Sequence, residues 1–144
     1  MSGYTTTFLD GLGVLLDAAG ICVWRPGGVI APGETGLFSA IVPDEPDRAL
    51  GMTAYPVEDT DLTDAITGVQ LRMRAGRNPD DVNDLADAVF AELHNRQHYV
   101  LGTVHVALSW RQSQAWIGQD AHGRMELTSN YYFRTVRSGP YLID

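Results

Sequence analysis

The chain has 144 residues, of which 44% are hydrophobic and 19% charged, and its formal net charge is −8. No apolar run approaches the ~20 residues that a membrane-spanning helix needs, and the acidic balance disfavours a surface built to bind phosphate groups. All ten basic residues are arginines, so the missing lysine excludes a P-loop lysine, a Schiff-base lysine and a lysine general base.

Length and cysteine content predict one domain without disulfides. A chain of this size buries roughly 70% of the surface that its unfolded form exposes, so we expect residues 1–144 to form a single domain with a substantial core. Cys22 is the only cysteine, and we expect it to be a small buried hydrophobe. The N-terminus lacks the basic start and small-residue cleavage site of a signal peptide, so we expect no export.

The first elements in chain order are a helix, a short strand and a loop. Residues 5–19 place apolar side chains on one helical stripe, after a threonine run that would cap the helix and before Gly20, which would end it. Segment 21–25 is predicted to be a strand. Segment 26–37 is rich in glycine and proline and is predicted to be an exposed loop.

Three strands and a helix are predicted in the middle of the chain. Strands are expected at 38–43 and 49–57, joined by a turn at "DEPD". Segment 68–76 alternates between apolar and polar residues, which is typical of a half-buried strand. Asn78 and Pro79 then provide a helix cap and a first helical residue, and the helix is expected to run to about His94.

The last part of the chain predicts two long strands. Residues 99–110 alternate again, with Ser109 and Arg111 on the outward side, and a polar loop, 111–122, is expected before a strand at 123–136. These two strands most economically pair in antiparallel fashion. The predicted fold class is α+β, a mostly antiparallel sheet of five or six strands with two helices packed on one face.

Candidate catalytic groups are sparse. His94 and His98 have the i, i+4 spacing of a metal pair, but the HExxH glutamate is missing, and histidines at a helix C-terminus commonly serve as dipole partners. Asp120, His122 and Arg124 form a polar group that has the pattern of a turn. No G-x-S-x-G occurs. We therefore expect no enzyme, no cofactor and no metal.

The predicted outer face of the sheet is rich in arginine and tyrosine. These residue types are common in protein–protein contacts, whereas the alternative is an ordinary solvated sheet face. Acidic residues are concentrated elsewhere, in 44–47, 58–64 and 80–92, so copies of the chain could dock head to tail and close into a ring. The predicted subunit-interface residues are Arg72, Arg74, Arg111, Arg124, Glu126, Tyr132 and Arg134.

Three segments, in this order and spacing, carry a family resemblance. They are "VPDEPDRALGMTAYPV", "GVQLRMRAGRNPDDVNDLADAVFAELH" and "IGQDAHGRMELTSNYYFRT". Together they make the chain resemble the phage minor capsid proteins that act as tail terminators of long-tailed phages. The resemblance spans roughly residues 5–137.

The resemblance implies a structural virion protein at the head–tail junction, assembled in the host cytoplasm. It implies a six-subunit ring that caps the head-proximal end of the tail tube, stops its polymerisation and contacts the neck proteins of the head. DNA would pass through the lumen without specific binding, because an acidic channel does not grip phosphate. No membrane partner is implied.

A loop and two competing functions complete the expectations. The loop is expected to order on contact with the tube or the neck, through Gly27, Gly28, Val29, Ile30, Gly33 and Glu34. The first competing function is a head-completion or neck connector protein of the same particle. The second is a small hydrolase or binding domain that uses His94, His98 and Asp120.

Overall fold

A computed structural model describes residues 3–144 and contains two helices and six strands that form one sheet. In chain order these are α1 (Tyr4–Ala18), β1 (Gly36–Ser39), β2 (Ala49–Glu58), β3 (Asp64–Arg74), α2 (Pro79–Leu93), β4 (Arg96–Leu101), β5 (Val104–Gln119) and β6 (Met125–Val136). The strand order is β1-β2-β3-β6-β5-β4. Only β1 and β2 run parallel; every other neighbouring pair is antiparallel. The predicted α+β class is confirmed, with a sheet that is mixed and not purely antiparallel.

The core lies between the two helices and one face of the sheet. Phe8 of α1 meets Phe133 of β6 edge to face, with ring centroids 5.1 Å apart. Alternate residues of β3 and β6 point toward the helices, and the buried apolar side chains of all these elements form one cluster. Each large side chain buried in this way contributes roughly 1.5–3 kcal/mol relative to an exposed one. Neither helix between residues 3 and 144 is long and apolar enough to cross a membrane.

The two helix starts differ in how well the sequence predicted them. The side chain of Asn78 accepts a hydrogen bond from the backbone N–H of Asp80 at 3.0 Å, with Pro79 as the first residue of α2, so this cap is confirmed. The threonine cap of α1 is wrong. Gly3 occupies the N-cap without a side-chain hydrogen bond, and the threonines lie inside the first turns. Gly20, at φ 77°, follows α1 as predicted.

The predicted strand 21–25 is wrong. Only Val23 makes a strand-like contact, an isolated bridge to Gly36 at the outer side of β1. The next backbone N–H, that of Trp24, is taken by a side chain, because it donates to Asp17 Oδ2 at 2.9 Å. The carbonyl of Arg25, the next residue whose backbone would face β1, instead accepts the N–H of Gly28 at 2.9 Å, so the chain turns away and the strand does not extend.

The region 99–122 was predicted as one strand followed by a loop. It instead belongs to a hairpin of β4 and β5, and β5 is much longer than the predicted strand. Gly102, at φ 62°, turns the chain between β4 and β5, and β5 then continues to Gln119. The expected loop at 111–122 is therefore wrong. Irregularities in the β5–β6 register occur between 106 and 108, 111 and 113, and 116 and 118. Each such bulge shifts the side chains that follow to the opposite face, which hides the strand from a simple alternation test.

Candidate functional site

The sheet face opposite the helices is largely uncovered, and we call it the open face. Strand register places on it Thr53, Tyr55, Gln70, Arg72, Trp110, Ser113, Thr128, Asn130, Tyr132 and Arg134. Arg134 is exposed, and Arg72 and Tyr132 are at least partly so. The face is therefore a broad polar and aromatic surface without a helix packed on it, and loop segments cover it at Gly51, where Val42 packs, and at Arg74.

Cross-strand contacts hold the side chains of the open face in place. The Tyr55 hydroxyl donates to Asn130 Oδ1 at 3.2 Å, and Asn130 Nδ2 donates to Ser113 Oγ at 3.1 Å. Trp110 and Tyr132 pack edge to face with ring centroids 5.9 Å apart. Hydrogen bonds of this kind and aromatic pairs each contribute roughly 0.5–1.5 kcal/mol. These contacts restrict the orientations of the side chains on the open face.

Charge on the open face differs from that of the whole chain. Across the rows that join β2 residues 49–55 to β6 residues 126–132, the single carboxylate is Glu126. That side chain is only 5% exposed, and both Nε and Nη2 of Arg72 lie 3.0 Å from its Oε1. The centre of this face therefore offers no free negative charge, although the chain carries −8.

Arg74 and Arg124 are not on the exposed surface, so the expectation that they face outward is wrong. Arg74 is 4% exposed and donates to the backbone carbonyls of Pro43, Asp44, Pro46 and Asp47 at 2.6–3.2 Å. Its planar guanidinium can bond several carbonyls of one bend at once. Burial lowers the pKa of Arg74, and the nearby Arg124 adds to this effect. Arg74 thus fixes segment 43–47 against the end of the sheet.

Arg124 closes the same region from the other side. It is 6% exposed, and its nitrogens lie 2.7 Å from Asp120 Oδ2, 2.7 Å from Asp44 Oδ1 and 3.0 Å from Asp47 Oδ1. Asp120 also accepts the backbone N–H groups of His122 and Arg124, as the turn pattern predicted. Burial raises the pKa of Asp120, but these hydrogen bonds outweigh it and lower the pKa to about 2.

An open cleft of about 500 Å³ lies beside these two arginines. Its lining includes Asp44, Asp47, Arg77, His122 and Arg124. The hydrogen bond from Arg124 lowers the pKa of Asp44, so the carboxylate is held in its charged form. The hydrogen-bonding groups of Arg124 are used by the protein itself, so the cleft is a structural joint and does not present a poised catalytic group.

Arg111 lies on the helix side of the sheet, which contradicts its predicted outward position beside Arg72. Its guanidinium carbon is 4.4 Å from the centre of the Phe90 ring in α2, and its backbone N–H donates to His94 Nδ1 at 3.1 Å. His94 in turn stacks on Phe90. Ser109, also predicted outward, is buried and donates to the Leu93 carbonyl. The bulge between 106 and 108 accounts for both changes of side.

The histidines do not assemble a reactive centre with Asp120. His94 is occupied by the contacts with Phe90 and Arg111, whereas Asp120 is bonded to Arg124. His98 lies in β4 with a left-handed backbone at φ 52°. Within residues 3–144, no group of three or more histidine, cysteine or acidic side chains is arranged to hold a metal ion.

The loop at 26–37 is closed at its base by an ion pair. Arg25 Nη1 and Nη2 bond the two carboxylate oxygens of Glu34 at 2.6 and 2.9 Å, and Glu34 Oε1 also accepts the N–H of Ala31. Val29 is 84% exposed, and Arg25 also donates to its carbonyl. The predicted loop residues thus form a hoop that presents an apolar tip. Sequence reasoning missed the Arg25–Glu34 pair, although the opposite charges nine positions apart were visible.

The distinctive features of the described residues are an open sheet face and a loop closed at its base by an ion pair. A model of the family described as "Bacteriophage tail terminator protein" matches residues 15–137. The chain belongs to this family, which consists of structural tail proteins and not of enzymes. It is accordingly a structural protein of the phage tail and is located in the virion.

A solved structure supports the fold independently. One chain of the structure titled "Virion of native gene transfer agent (GTA) particle" matches with a TM-score of 0.60, covering 93% of this chain and 95% of that chain. The two sequences are 12% identical, so the likeness concerns the fold alone. No curated protein matches this sequence closely enough to count as a relative.

Proposed function

We propose that the protein forms a closed ring of identical subunits, a hexamer, at the head–tail junction of the virion. The ring caps the head-proximal end of the tail tube, stops its polymerisation and joins the tail to the head. The observation that carries this proposal is the tail terminator family match over residues 15–137. The open face adds a physical reason, because it offers an acidic chain one broad surface on which a second acidic copy can dock.

In this proposal the ring contact is heterologous, so one patch of each subunit meets a different patch of the next. The open-face side consists of Arg72, Tyr132 and Arg134. The opposing side is acidic and comprises the exposed carboxylates of 58–64 and of α2. Such a contact closes into a ring when the rotation between subunits is a whole fraction of a turn. Arginine and tyrosine supply contact area and directional hydrogen bonds.

The other predicted interface residues have supporting roles. Glu126 holds the guanidinium of Arg72 in one orientation through its 3.0 Å contacts. Arg74 and Arg124 hold segment 43–47 at the rim of the open face, through backbone carbonyls and aspartates. Arg111 braces α2 against β5. Loss of a support would distort the contact surface without removing a contacting atom.

The loop hoop is proposed to touch the tail tube or a neck protein. The Arg25–Glu34 pair fixes its base, so Gly27, Gly28, Ile30 and Gly33 can carry Val29 outward without the loop collapsing on the core. A preclosed loop loses less conformational entropy on binding than a free one.

The ring is proposed to assemble in the host cytoplasm. DNA is proposed to slide through its lumen without specific binding.

The deciding experiment compares tails assembled with and without this protein by negative-stain imaging. Tubes of uncontrolled length in its absence, restored to normal length when it is added back, are the expected result. Tails of normal length that fail to join heads would instead support a neck connector and contradict tube termination. The family match favours the first outcome.

The Arg134→Glu variant tests the docking side of the open face. Arg134 is exposed and forms no ion pair among the described residues, so we expect its free energy of unfolding to stay within about 0.5 kcal/mol of the natural protein. Association should weaken by about tenfold at low salt and recover partly as salt rises, because a like charge then faces the acidic side. Urea denaturation measures the free energy of unfolding, and analytical ultracentrifugation measures the association at each salt concentration. Arg77→Glu gives the same charge change outside this face. Equal losses in the two variants would argue against the assignment.

A further inference from the structure

Half of the longest strand has a free edge. β4 pairs with β5 only from Val104 to Ser109, so β5 from Trp110 to Gln119 has β6 on one side and no strand on the other in the described part of the chain. Within it, residues 112–117 are all exposed. The N–H of Arg111 already donates to His94 Nδ1, but from residue 112 onward the backbone N–H and C=O groups that point to this side are an open template for a further strand.

The other edges of the sheet are protected. β1 is four residues long, and its outer side is covered by the chain at Val23, whose carbonyl accepts the N–H of Leu37 at 3.0 Å. The part of β2 beyond β1 contains Pro56 and ends at Glu58. β4 begins with Arg96 and is interrupted by the left-handed backbone of His98. Proteins usually prevent strand-to-strand association by keeping an edge strand short or covered, or by placing proline, charge or a backbone irregularity on it.

The free edge of β5 has backbone irregularities between 111 and 113 and between 116 and 118, but it lacks the charge and the proline that protect other edges. Its sequence from 112 to 119, QSQAWIGQ, contains no charged residue and no proline, although 19% of the chain is charged. Trp116 and Ile117 are 52% and 50% exposed, and both would lose water contact if another strand packed alongside. A long, uncharged and partly apolar edge is an aggregation hazard unless something covers it in the working state.

We propose that residues 112–119 pair, strand to strand, with a second copy of this chain, so that the sheet continues from one subunit into the next. This inference rests on the proposed ring and specifies how its subunits join. The free edge is continuous with the open face, since Ser113 within it accepts a hydrogen bond from Asn130. Both surfaces would then meet the same neighbour.

Charge is compatible with a second copy as the occupant, and continuity with the open face is the reason for choosing it. Two copies at −8 each repel wherever their carboxylates face one another, and the acids of 58–64 are one such concentration. The 112–119 edge has no carboxylate to oppose such a neighbour, so an acidic copy can approach it without like-charge repulsion. Main-chain hydrogen bonds provide affinity in this mode of binding.

Amide hydrogen exchange of the full-length protein tests the pairing directly. Within 112–119, the amides bonded to β6 are protected in both states, whereas those that point to the free edge should exchange fast in the dilute monomer and at least about tenfold more slowly in isolated rings, because new main-chain hydrogen bonds protect them. Rings that cap tubes but leave 112–119 exchanging as in the monomer would overturn the strand pairing while leaving the proposed function intact. Protection that appears only after tube or neck protein is added would also overturn it, since the occupant would then be that protein.

A matched pair of variants tests the same idea by association. Ile117→Lys places a charge on the edge, whereas Val14→Lys places the same charge on an exposed position of α1. Ring formation should fall at least about tenfold for the first and not for the second, with both keeping the natural thermal transition. Ala115→Lys serves if Ile117→Lys does not fold. Equal ring formation by Ile117→Lys and Val14→Lys would contradict the strand pairing. Failure of the natural protein to form rings, even when tail tubes are present, would contradict the proposed function as well.

Discussion

At the scale of single residues, Arg124 joins three aspartates from two segments that are far apart in the sequence. Asp44, Asp47 and Asp120 come from two segments separated by more than seventy positions, and one guanidinium joins them. The partners of Arg124 satisfy a charge that would otherwise be costly to bury. Asp120 is the most enclosed of the three, and it also caps the turn between β5 and β6.

The Asp120→Asn substitution should lower the free energy of unfolding and make it depend less on pH in the acid range. The folded-state pKa of Asp120, about 2, is below the value near 3.9 of an unfolded chain, so its contribution is present above about pH 4 and is lost as the pH falls toward about 2. Asparagine keeps the turn hydrogen bonds but not the charge, so we expect a loss of about 1–2 kcal/mol at pH 7. Urea denaturation at several pH values measures this. Asp59→Asn, at an exposed acid that forms no ion pair within residues 3–144, is the control. Equal slopes of stability against pH in Asp120→Asn and the natural protein would contradict the prediction.

At the scale of elements, the glycines of α1 serve packing. Gly11 weakens a helix by composition alone, yet a Cβ at this position would lie 2.2 Å from the backbone nitrogen of Gly102 and 2.4 Å from the carbonyl carbon of Leu101. The helix therefore approaches the β4–β5 turn more closely than any side chain would allow. This approach helps to position the hairpin that carries β5.

Gly11→Ala should therefore destabilise the protein, against the usual helix preference. Alanine in a helix interior normally gains about 0.5–1 kcal/mol over glycine, whereas overpacking against backbone atoms costs about 1–3 kcal/mol. We expect a net loss of about 1–2 kcal/mol, measured by thermal or urea unfolding. Gly33→Ala is the matched control, because a Cβ there has no neighbour within 4 Å. A stabilised Gly11→Ala would show that α1 can move away from the turn.

Elements with local signals were predictable, and those that depend on long-range register were not. The cap at Asn78 and the alternation of β3 are local, and both predictions hold. The end of β5 failed because three bulges interrupt its alternation, and a bulge depends on the partner strand as well as on the sequence. The strand predicted at 21–25 failed because the chain turns at Arg25, whose carbonyl accepts the N–H of Gly28.

The same limit applies to the candidate site. Alternation correctly put Arg72, Tyr132 and Arg134 on one face, because β3 and β6 pair without interruption. It put Arg74 there too, on the correct side of the sheet, but could not show that segment 43–47 folds over its guanidinium. Arg111 was misplaced by bulges. Residue type and strand period predict a face, whereas exposure depends on loops that arrive from elsewhere in the chain.

For the whole molecule, the decisive separation is between residues that keep the subunit folded and residues that face outward. The Val29→Asp variant tests this separation at the loop hoop. Val29 is 84% exposed at the tip while Arg25 and Glu34 close the base, so unfolding should change by less than about 0.5 kcal/mol. Burying a carboxylate against a protein partner is costly, so capping of tubes or joining of heads should fall strongly. Val14→Asp, on α1, adds the same charge away from the loop and should leave assembly unchanged. Normal tail length and normal head joining in tails assembled with Val29→Asp would show that the loop hoop makes no contact in the particle, because a buried contact at this exposed position could not accept a carboxylate without loss.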